Sequence, residues 1–256
     1  QDHLNRYRDM DEYAAAKEYI IASQKKDDIA VMNRDDVRVR AMGERAPGKV
    51  MWFGMSVFNR GDGCFIRGND IVLRQQGRER DILRRSDIKL KGEHNVPNVL
   101  AACAAAAAAG VAPKMIRAAV RAFGGVPDRL EEVAVIDGVL YVNDTTATAP
   151  DAAIAALRTY NPGLSRRIVL IAGGADKALE FGEWAKEAAR RAKHIIFFPG
   201  GATEKMVAAL EETAQATGIS GAASMEEALD EAGRHVAPGD VVLLSPGCAS
   251  FGLFAH

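Results

Sequence analysis

The chain has 256 residues, of which 48% are hydrophobic and 26% charged, and its formal net charge at pH 7 is −1. This is the composition of an ordinary soluble globular protein, with room for one large or two ordinary domains. The longest stretch of low polarity, residues 99–109, is shorter than the roughly 20 apolar residues of a membrane span. We therefore expect no transmembrane helix.

The cysteines help to distinguish a secreted protein from a cytoplasmic one. The chain begins with Gln1 and shows no signal peptide, which indicates a processed chain or a piece of a longer one. Its three cysteines form no C-x-x-C pair and are odd in number. We expect reduced, packed cysteines in a cytoplasmic protein rather than disulfides or a zinc site of cysteines.

A helix followed by short strands is predicted for the start of the chain. Acidic residues in the first turn and apolar side chains at helical spacing indicate a helix over residues 9–24. Residues 29–33 and 50–56 are typical of strands. Gly68-Asn69 supplies a tight turn between two further strands.

Two helices complete the first half. A strand passes Gly92 into a long alanine-rich helix that ends at Gly110, and a second helix begins with Pro113. The sequence "GGVPDR" that follows is typical of a linker. It predicts a boundary near residue 126, with domains at residues 1–126 and 127–256.

The second half has a different pattern of predicted strands and helices. A hairpin around Asp137-Gly138 precedes three apolar strands with glycine-bearing turns, in "RIVLIAGGADK", "HIIFFPGGATEK" and "DVVLLSPGCASF". Helices are predicted over residues 181–192, 203–217 and 225–235. Continuous apolar strands separated by helices indicate a doubly wound α/β domain, with a parallel sheet covered on both faces.

Polar, glycine-rich loops follow the strands of this half: "NDTTAT", "GGADK", "PGGATEK" and "SPGCASF". We expect them to converge on the carboxyl edge of the sheet, where such folds bind ligands. No strand is followed by G-x-G-x-x-G, and G-x-x-x-x-G-K-[ST] is absent. The hypotheses of an NAD site and of a self-contained phosphate-binding loop are therefore weak.

Six elements occur in order: "DHLNRY" followed by Lys17, "GEHNVPNVLAA", "PDRLE", "VNDTTAT", "GGADK" and "LSPGCASF". Together they resemble the Mur ligases, the ATP-dependent amide-forming enzymes of peptidoglycan precursor synthesis. Within that family the chain is most similar to members that add D-glutamate to UDP-N-acetylmuramoyl-L-alanine. The resemblance implies the carboxyl-terminal part of a central P-loop-type ATPase domain in residues 1–126. It implies a Rossmann-like, amino-acid-binding domain in residues 127–256, and a fragment without the UDP-binding domain and the phosphate loop.

The resemblance places a magnesium site on His3 and Lys17. In the family the lysine is carbamylated, which turns an ammonium into the oxygen ligand that magnesium prefers. The alternative from spacing alone is a solvated helix lysine.

Five positions are implied for the ATP nucleotide. His94, Asn95 and Asn98 stand at the entry to the alanine-rich helix, where amides can donate to and accept from an adenine edge. Asn95 could instead cap that helix. The guanidinium of Arg129 has the geometry to bind phosphate oxygens, and the residue is also implied in catalysis. Asp144 is implied at the ribose.

An amino-acid pocket is implied near the end of the second half. Lys177 and Ser250 can hold the carboxylates of an incoming glutamate, with Phe251 beside them. Thr148 is the threonine that matches the family motif. The alternatives are a solvent-facing loop lysine at Lys177 and a helix N-cap at Ser250.

Some residues depart from the family pattern or stand outside it. Thr146 occupies a position where lysine is common, Gly252 one where aspartate is common, and Asp128 one where histidine is common. The loss of a lysine leaves the identity of the added amino acid open. His194 and His235 lie beside strand starts with no partner motif, so we expect ordinary surface or capping residues.

The implied chemistry is phosphoryl transfer from ATP to a carboxylate, followed by attack of an amine on the acyl phosphate. Magnesium and cationic side chains, with Lys17, Arg129 and Lys177 as the catalytic candidates, would neutralise the transferring charge. The alternatives are another Mur or folylpolyglutamate-type ligase, a non-catalytic nucleotide-binding fragment and, more distantly, a Rossmann-type oxidoreductase. We expect a monomer without nucleic-acid or membrane partners, and no activity from this piece alone.

Overall fold

The computed structural model describes residues 7–160, 167–215 and 217–249. These residues form two compact units, an amino-terminal unit of residues 7–124 and a carboxyl-terminal unit of residues 125–249. His3, Ser250 and Phe251 lie outside the described residues. Within the described ranges every helix is too short or too polar to cross a membrane.

The amino-terminal unit combines one mixed sheet with four helices among its described residues. Its elements in chain order are α1 (Met10–Ala22), β1 (Ile29–Asn33), α2 (Val37–Glu44), β2 (Lys49–Gly54), β3 (Asp62–Arg67), β4 (Asp70–Gln75), β5 (Arg78–Arg84), a 3-10 turn (Arg85–Asp87), α3 (Asn95–Ala108) and α4 (Pro113–Ala122). The strand order is β1-β2-β3-β4-β5. The first three strands are parallel, and the last three form an antiparallel meander.

Local chemistry sets the ends of three helices in this unit. The Asp9 side chain accepts hydrogen bonds from the backbone of Asp11 and Glu12 and so caps α1. α3 ends shortly before Gly110, whose φ of +82° is favoured by glycine. α4 begins with Pro113, whose fixed φ suits the first turn of a helix. The three helices predicted from the sequence are confirmed.

The carboxyl-terminal unit is built around a larger sheet. Its elements are β6 (Glu131–Ile136), β7 (Val139–Asn143), α5 (Pro150–Tyr160), β8 (Ile168–Ala172), α6 (Gly182–Arg191), β9 (Ala192–Phe197), α7 (Gly201–Glu211), β10 (Gly218–Gly221), α8 (Met225–His235) and β11 (Val241–Leu244). The strand order is β10-β9-β8-β11-β7-β6. All neighbouring pairs are parallel except the β6-β7 hairpin.

Helices cover both faces of this second sheet. Ile168 and Leu170 of β8 belong to a core shared with α5, α6 and α7. The alternate residues Val169 and Ile171 belong to a second core shared with α8. A strand buried on both faces has to be apolar at every position, which is why "IVLIA" shows no alternation. The predicted doubly wound α/β fold is confirmed.

Some predicted elements are wrong in extent or absent. The helix predicted over residues 203–217 ends at Glu211, and β10 begins at Gly218. The strand predicted just before Gly92 is absent, because β5 ends at Arg84 and a 3-10 turn follows. No sequence signal predicted β5 or α2. The first four residues of β5 are all exposed and charged, so they show no apolar alternation.

Candidate functional site

Four loops of the carboxyl-terminal unit leave the same edge of its sheet, because β7, β8, β9 and β11 are parallel. Backbone hydrogen bonds join these loops. The Ala175 N–H donates to the Ala249 carbonyl at 2.8 Å, and the Gly247 N–H donates to the Ala147 carbonyl at 2.8 Å. We call this set of loops the strand-end rim. It consists of residues 143–149, 173–181, 198–201 and 245–249.

Gly174 allows two loops of the rim to touch. Its φ is +142°, and a Cβ added there would lie 2.4 Å from the Ala249 carbonyl oxygen. Only glycine tolerates both the conformation and the contact. The glycine therefore holds the backbone that leads to Lys177 against the last loop of the rim.

Asp144 is the buried carboxylate of the rim and only 4% exposed. Its Oδ1 accepts a hydrogen bond from the Leu130 N–H at 3.1 Å, and its Oδ2 accepts one from the Ser245 hydroxyl at 2.9 Å. Burial raises the pKa of Asp144 to about 6, against the opposing effects of these two donors and the Arg129 charge. Both carboxylate oxygens thus have partners inside the chain, and contact with a ribose stays a prediction.

Arg129 is exposed beside the rim, on the loop that precedes β6. Its neighbours Asp128 and Leu130 have φ values of +62° and +46°, which non-glycine residues adopt at a cost. Asn143 Nδ2 donates to Asp128 Oδ1 at 2.9 Å and helps to hold this loop. The Nε of Arg129 lies 3.5 Å from the Thr146 hydroxyl. A permanent cation therefore stands beside the position where lysine is common in the family.

Lys177 is half-buried in the second loop of the rim. The neighbouring Asp176 forms an ion pair with Lys205 at 2.6 Å and accepts a hydrogen bond from the Ala178 N–H at 2.9 Å. Burial raises the pKa of the Cys248 thiol to about 12, while the Lys177 charge acts in the opposite direction. The hydrogen bond from the Ala175 N–H to the Ala249 carbonyl joins this loop to the last loop, which contains Cys248.

The same edge of the sheet carries four of the predicted site residues, three on the rim and Arg129 on the loop before β6. Arg129, Asp144 and Lys177 lie on loops at this edge, and so does the half-buried Thr148, whose N–H donates to the Thr146 carbonyl at 2.9 Å. Sequence reasoning missed one member of the rim, the fully buried Ser245. Its only signal was a hydroxyl directly after an apolar strand, and nothing there indicated its partner.

The predicted nucleotide-binding amides lie in the amino-terminal unit and bond to one another. Asn95 is the first residue of α3, after His94, and it makes no capping hydrogen bond, so the capping alternative is wrong. Asn95 is buried, and its Nδ2 donates to the Lys91 carbonyl at 2.7 Å. Its Oδ1 accepts from Asn98 Nδ2 at 3.1 Å. The pair thus has a fixed orientation at the start of the helix.

Lys17 lies exposed on α1, with its Nζ 5.4 Å from the centroid of the Tyr13 ring. An unmodified ammonium has no lone pair for a metal, and its predicted partner His3 lies outside the described residues. The described residues around Lys17 therefore do not by themselves make a magnesium site. Magnesium binding by His3 and a carbamylated Lys17 stays a prediction.

The expectation of ordinary surface histidines is wrong for His194. Its side chain is buried on β9, and its ring stacks on that of His235 from α8, with the ring centroids 3.6 Å apart. No local pattern could indicate this contact, because 41 positions (235 − 194) separate the two residues.

Sequence comparison places both units in known families. Residues 1–106 match the family described as Mur ligase middle domain, and residues 128–248 match the one described as Mur ligase, glutamate ligase domain. A UDP-N-acetylmuramoylalanine--D-glutamate ligase of Roseiflexus sp. (strain RS-1) is 46% identical over 263 residues, which cover 100% of this chain and 56% of that protein. A ligase of the same name from Symbiobacterium thermophilum is 41% identical over 256 residues, with 100% and 55% covered. The chain spans about half the length of the curated relatives it matches.

Solved structures share the fold at low sequence identity. The MurF ligase from Thermotoga maritima in complex with ADP has a TM-score of 0.67 at 18% identity, over 98% of this chain and 57% of that one. E. coli FolC in complex with ADP has a TM-score of 0.69 at 17% identity, over 99% and 57%. At such identities these two structures show the fold alone.

Proposed function

Because this chain belongs to the Mur ligase family, we propose that the protein containing it is an ATP-dependent ligase that adds D-glutamate to UDP-N-acetylmuramoyl-L-alanine. Relatives that are 46% and 41% identical carry the name of that activity. The structural observation that carries the proposal is the edge of the sheet where Asp144 and Lys177 lie on the strand-end rim and Arg129 lies beside it. Such an edge suits two anionic reactants.

The reaction has to activate a carboxylate, which is a poor electrophile. Transfer of the γ-phosphoryl group of ATP to a carboxylate oxygen gives an acyl phosphate and ADP. The amine of D-glutamate then attacks the acyl carbon, the C–O bond to phosphate breaks, and the amide forms with loss of a proton from the amine. Arg129 would neutralise the phosphate oxygens in this sequence, and magnesium would add the same kind of charge stabilisation.

The incoming amino acid is negatively charged and needs cationic partners. Lys177 would bind a carboxylate of D-glutamate, with Thr148, Ser250 and Phe251 completing the pocket. Among these residues Lys177 is best supported, because the Asp176–Lys205 ion pair and Gly174 hold its loop in place.

ATP is the third proposed substrate, and two proteins of the same fold were solved with ADP. His94, Asn95 and Asn98 would contact the base, and Asp144 the ribose. The carboxylate of Asp144 already accepts two hydrogen bonds, so a ribose hydroxyl would add a third to its remaining lone pairs.

An assay of phosphate release on a version extended to the length of the relatives tests the proposal. The acceptor is UDP-N-acetylmuramoyl-L-alanine with ATP and magnesium, and D-glutamate is compared with L-glutamate, L-lysine and meso-diaminopimelate. Release that depends on D-glutamate supports the proposal. Release that depends on another amino acid would favour the second candidate, a ligase of different specificity, which Thr146 in place of lysine keeps open. Nucleotide binding without release would favour a non-catalytic module.

Further expectations accompany the proposed function. The 256-residue chain alone should be inactive, since it carries no G-x-x-x-x-G-K-[ST] loop for the ATP phosphates. The protein should act as a monomer in the cytoplasm, in cell-wall biogenesis and hence in cell shape and division. The three buried, unpaired cysteines Cys64, Cys103 and Cys248 support that compartment.

A further inference from the structure

A group of potential metal ligands lies away from the strand-end rim, toward the amino ends of the strands. His194 is on β9, while Glu231 and His235 are one turn apart near the end of α8. We call these three residues the His–Glu–His cluster. His194 pairs in register with Gly218, the first residue of β10, and its carboxyl-terminal neighbours in β9 separate it from the rim. The cluster therefore has no part in the proposed ligase site.

The ligand atoms of the cluster are close to the separations that a metal ion requires. Glu231 Oε1 lies 3.1 Å from His235 Nε2 and 4.0 Å from His194 Nε2. One ligand atom from each residue lies within 4.8 Å of the other two. Around a tetrahedral zinc ion with bonds of about 2.0–2.1 Å, ligand atoms are about 3.3–3.5 Å apart. The two separations from Glu231 Oε1 bracket this range, so the side chains have to move to bind an ion.

Metal binding requires the largest movement from the ring of His235. The two imidazole rings are stacked with an angle of 11° between their planes, and an ion must lie along the lone pairs of both nitrogens. The ring of His235 therefore has to tilt away from that of His194. His235 is the half-buried, last residue of α8, whereas His194 is buried in the sheet, so His235 can turn while His194 stays in place.

The surroundings leave one oxygen of the Glu231 carboxylate for a cation. Arg234 contacts Oε2 of Glu231 and leaves Oε1 facing the histidines. The carboxyl end of α8 adds a favourable field for a cation.

We propose that His194, Glu231 and His235 bind one divalent transition-metal ion of the zinc type. Two imidazoles and a carboxylate are a donor set that zinc uses, with the fourth position left to water or to the Ser220 hydroxyl, which lies 2.8 Å from His194 Nε2. The ion would join α8 to β9 and β10. Its role would be structural, because the ion would join β9 to α8, a helix that packs on this face of the sheet.

Metal titration of the chain after removal of metals with EDTA tests this site. We expect one equivalent of Zn²⁺ by calorimetry and the intense visible absorption of tetrahedral Co²⁺. Glu231→Gln and His235→Gln should each weaken binding by at least about 10-fold, since even outer partners of metal ligands are worth that much. The matched controls are Glu226→Gln and Asp230→Asn, which change two exposed carboxylates of α8. Both controls should bind like the parent chain.

A second measurement separates loss of a ligand from loss of folding. Zn²⁺ should raise the Tm of the parent chain and of both controls, but not that of the two cluster variants, whose circular dichroism should match the parent. The proposal is overturned if the folded parent chain takes up no zinc, or if both cluster variants bind as tightly as the controls. In that case the histidines are a stacked, hydrogen-bonded pair without a metal. Failure of the ligase assay would leave this result unaffected.

Discussion

The Ser245 hydroxyl donates a hydrogen bond of 2.9 Å to Asp144 Oδ2 across 101 positions of sequence. Both residues are buried, at 0% and 4% exposed, directly after the parallel strands β11 and β7. The bond joins two loops of the strand-end rim at the residue proposed to contact the ribose. Four predictions test the rim and its chemistry.

Ser245→Ala should destabilise the carboxyl-terminal unit by about 1–3 kcal/mol, because it leaves an oxygen of a buried carboxylate without its donor. The free energy of unfolding in urea checks this. Thr145→Ala is the matched control, since it removes the side chain of an exposed threonine in the same rim. Equal unfolding free energies for the two variants would mean that the hydrogen bond makes no net contribution to stability.

Asp144→Asn should flatten the dependence of stability on pH. The pKa of Asp144 is raised by burial from 3.8 to about 6, so folding favours its protonated form. Its stabilising contribution is complete below the unfolded value and is lost as the pH rises through about 6. An asparagine can keep both partners, because the Ser245 hydroxyl can turn and accept.

The measurement is the Tm of both chains across this range. The Tm of the Asp144→Asn chain, taken relative to the parent, should be higher at about pH 7.5 than at about pH 4.5. A constant difference would show that the carboxylate titrates at the same pH when folded and unfolded.

Gly174→Ala should destabilise the rim by about 1–3 kcal/mol, the usual cost of overpacking. A Cβ there would lie 2.4 Å from the Ala249 carbonyl, at a φ of +142°. Gly182→Ala is the control, because it lies at the start of α6 with nothing within 4 Å of the added carbon and should be neutral or stabilising. Similar urea midpoints for the two variants would argue against the close approach.

Lys177→Ala in the extended protein should raise the KM for D-glutamate by about 10-fold or more, with a smaller change in the KM for ATP, since a charged hydrogen bond is worth about 1.5–3 kcal/mol. Steady-state kinetics with each substrate varied in turn measure both constants. The control is Lys186→Ala, an exposed lysine on α6 that pairs with Glu183. Equal increases for the two substrates would remove Lys177 from the amino-acid pocket.

The sequence by itself determined those elements whose signals lie within a few neighbouring residues. Asp9, Pro113 and Gly110 act through the backbone of their immediate neighbours, so the helices that they start and end were predictable. The apolar strand "IVLIA" could only be buried on both faces, which led to the doubly wound sheet and to its carboxyl edge.

The tertiary structure alone decided which side chains meet. Ser245 contacts Asp144, and His194 stacks on His235, because the parallel strand order brings distant segments together. β5 likewise forms only because β4 is beside it, since its first residues are exposed and have no apolar pattern of their own. Capping and burial act over a few residues and leave a local pattern. Contacts between distant strands depend on the packing of the whole sheet and leave none.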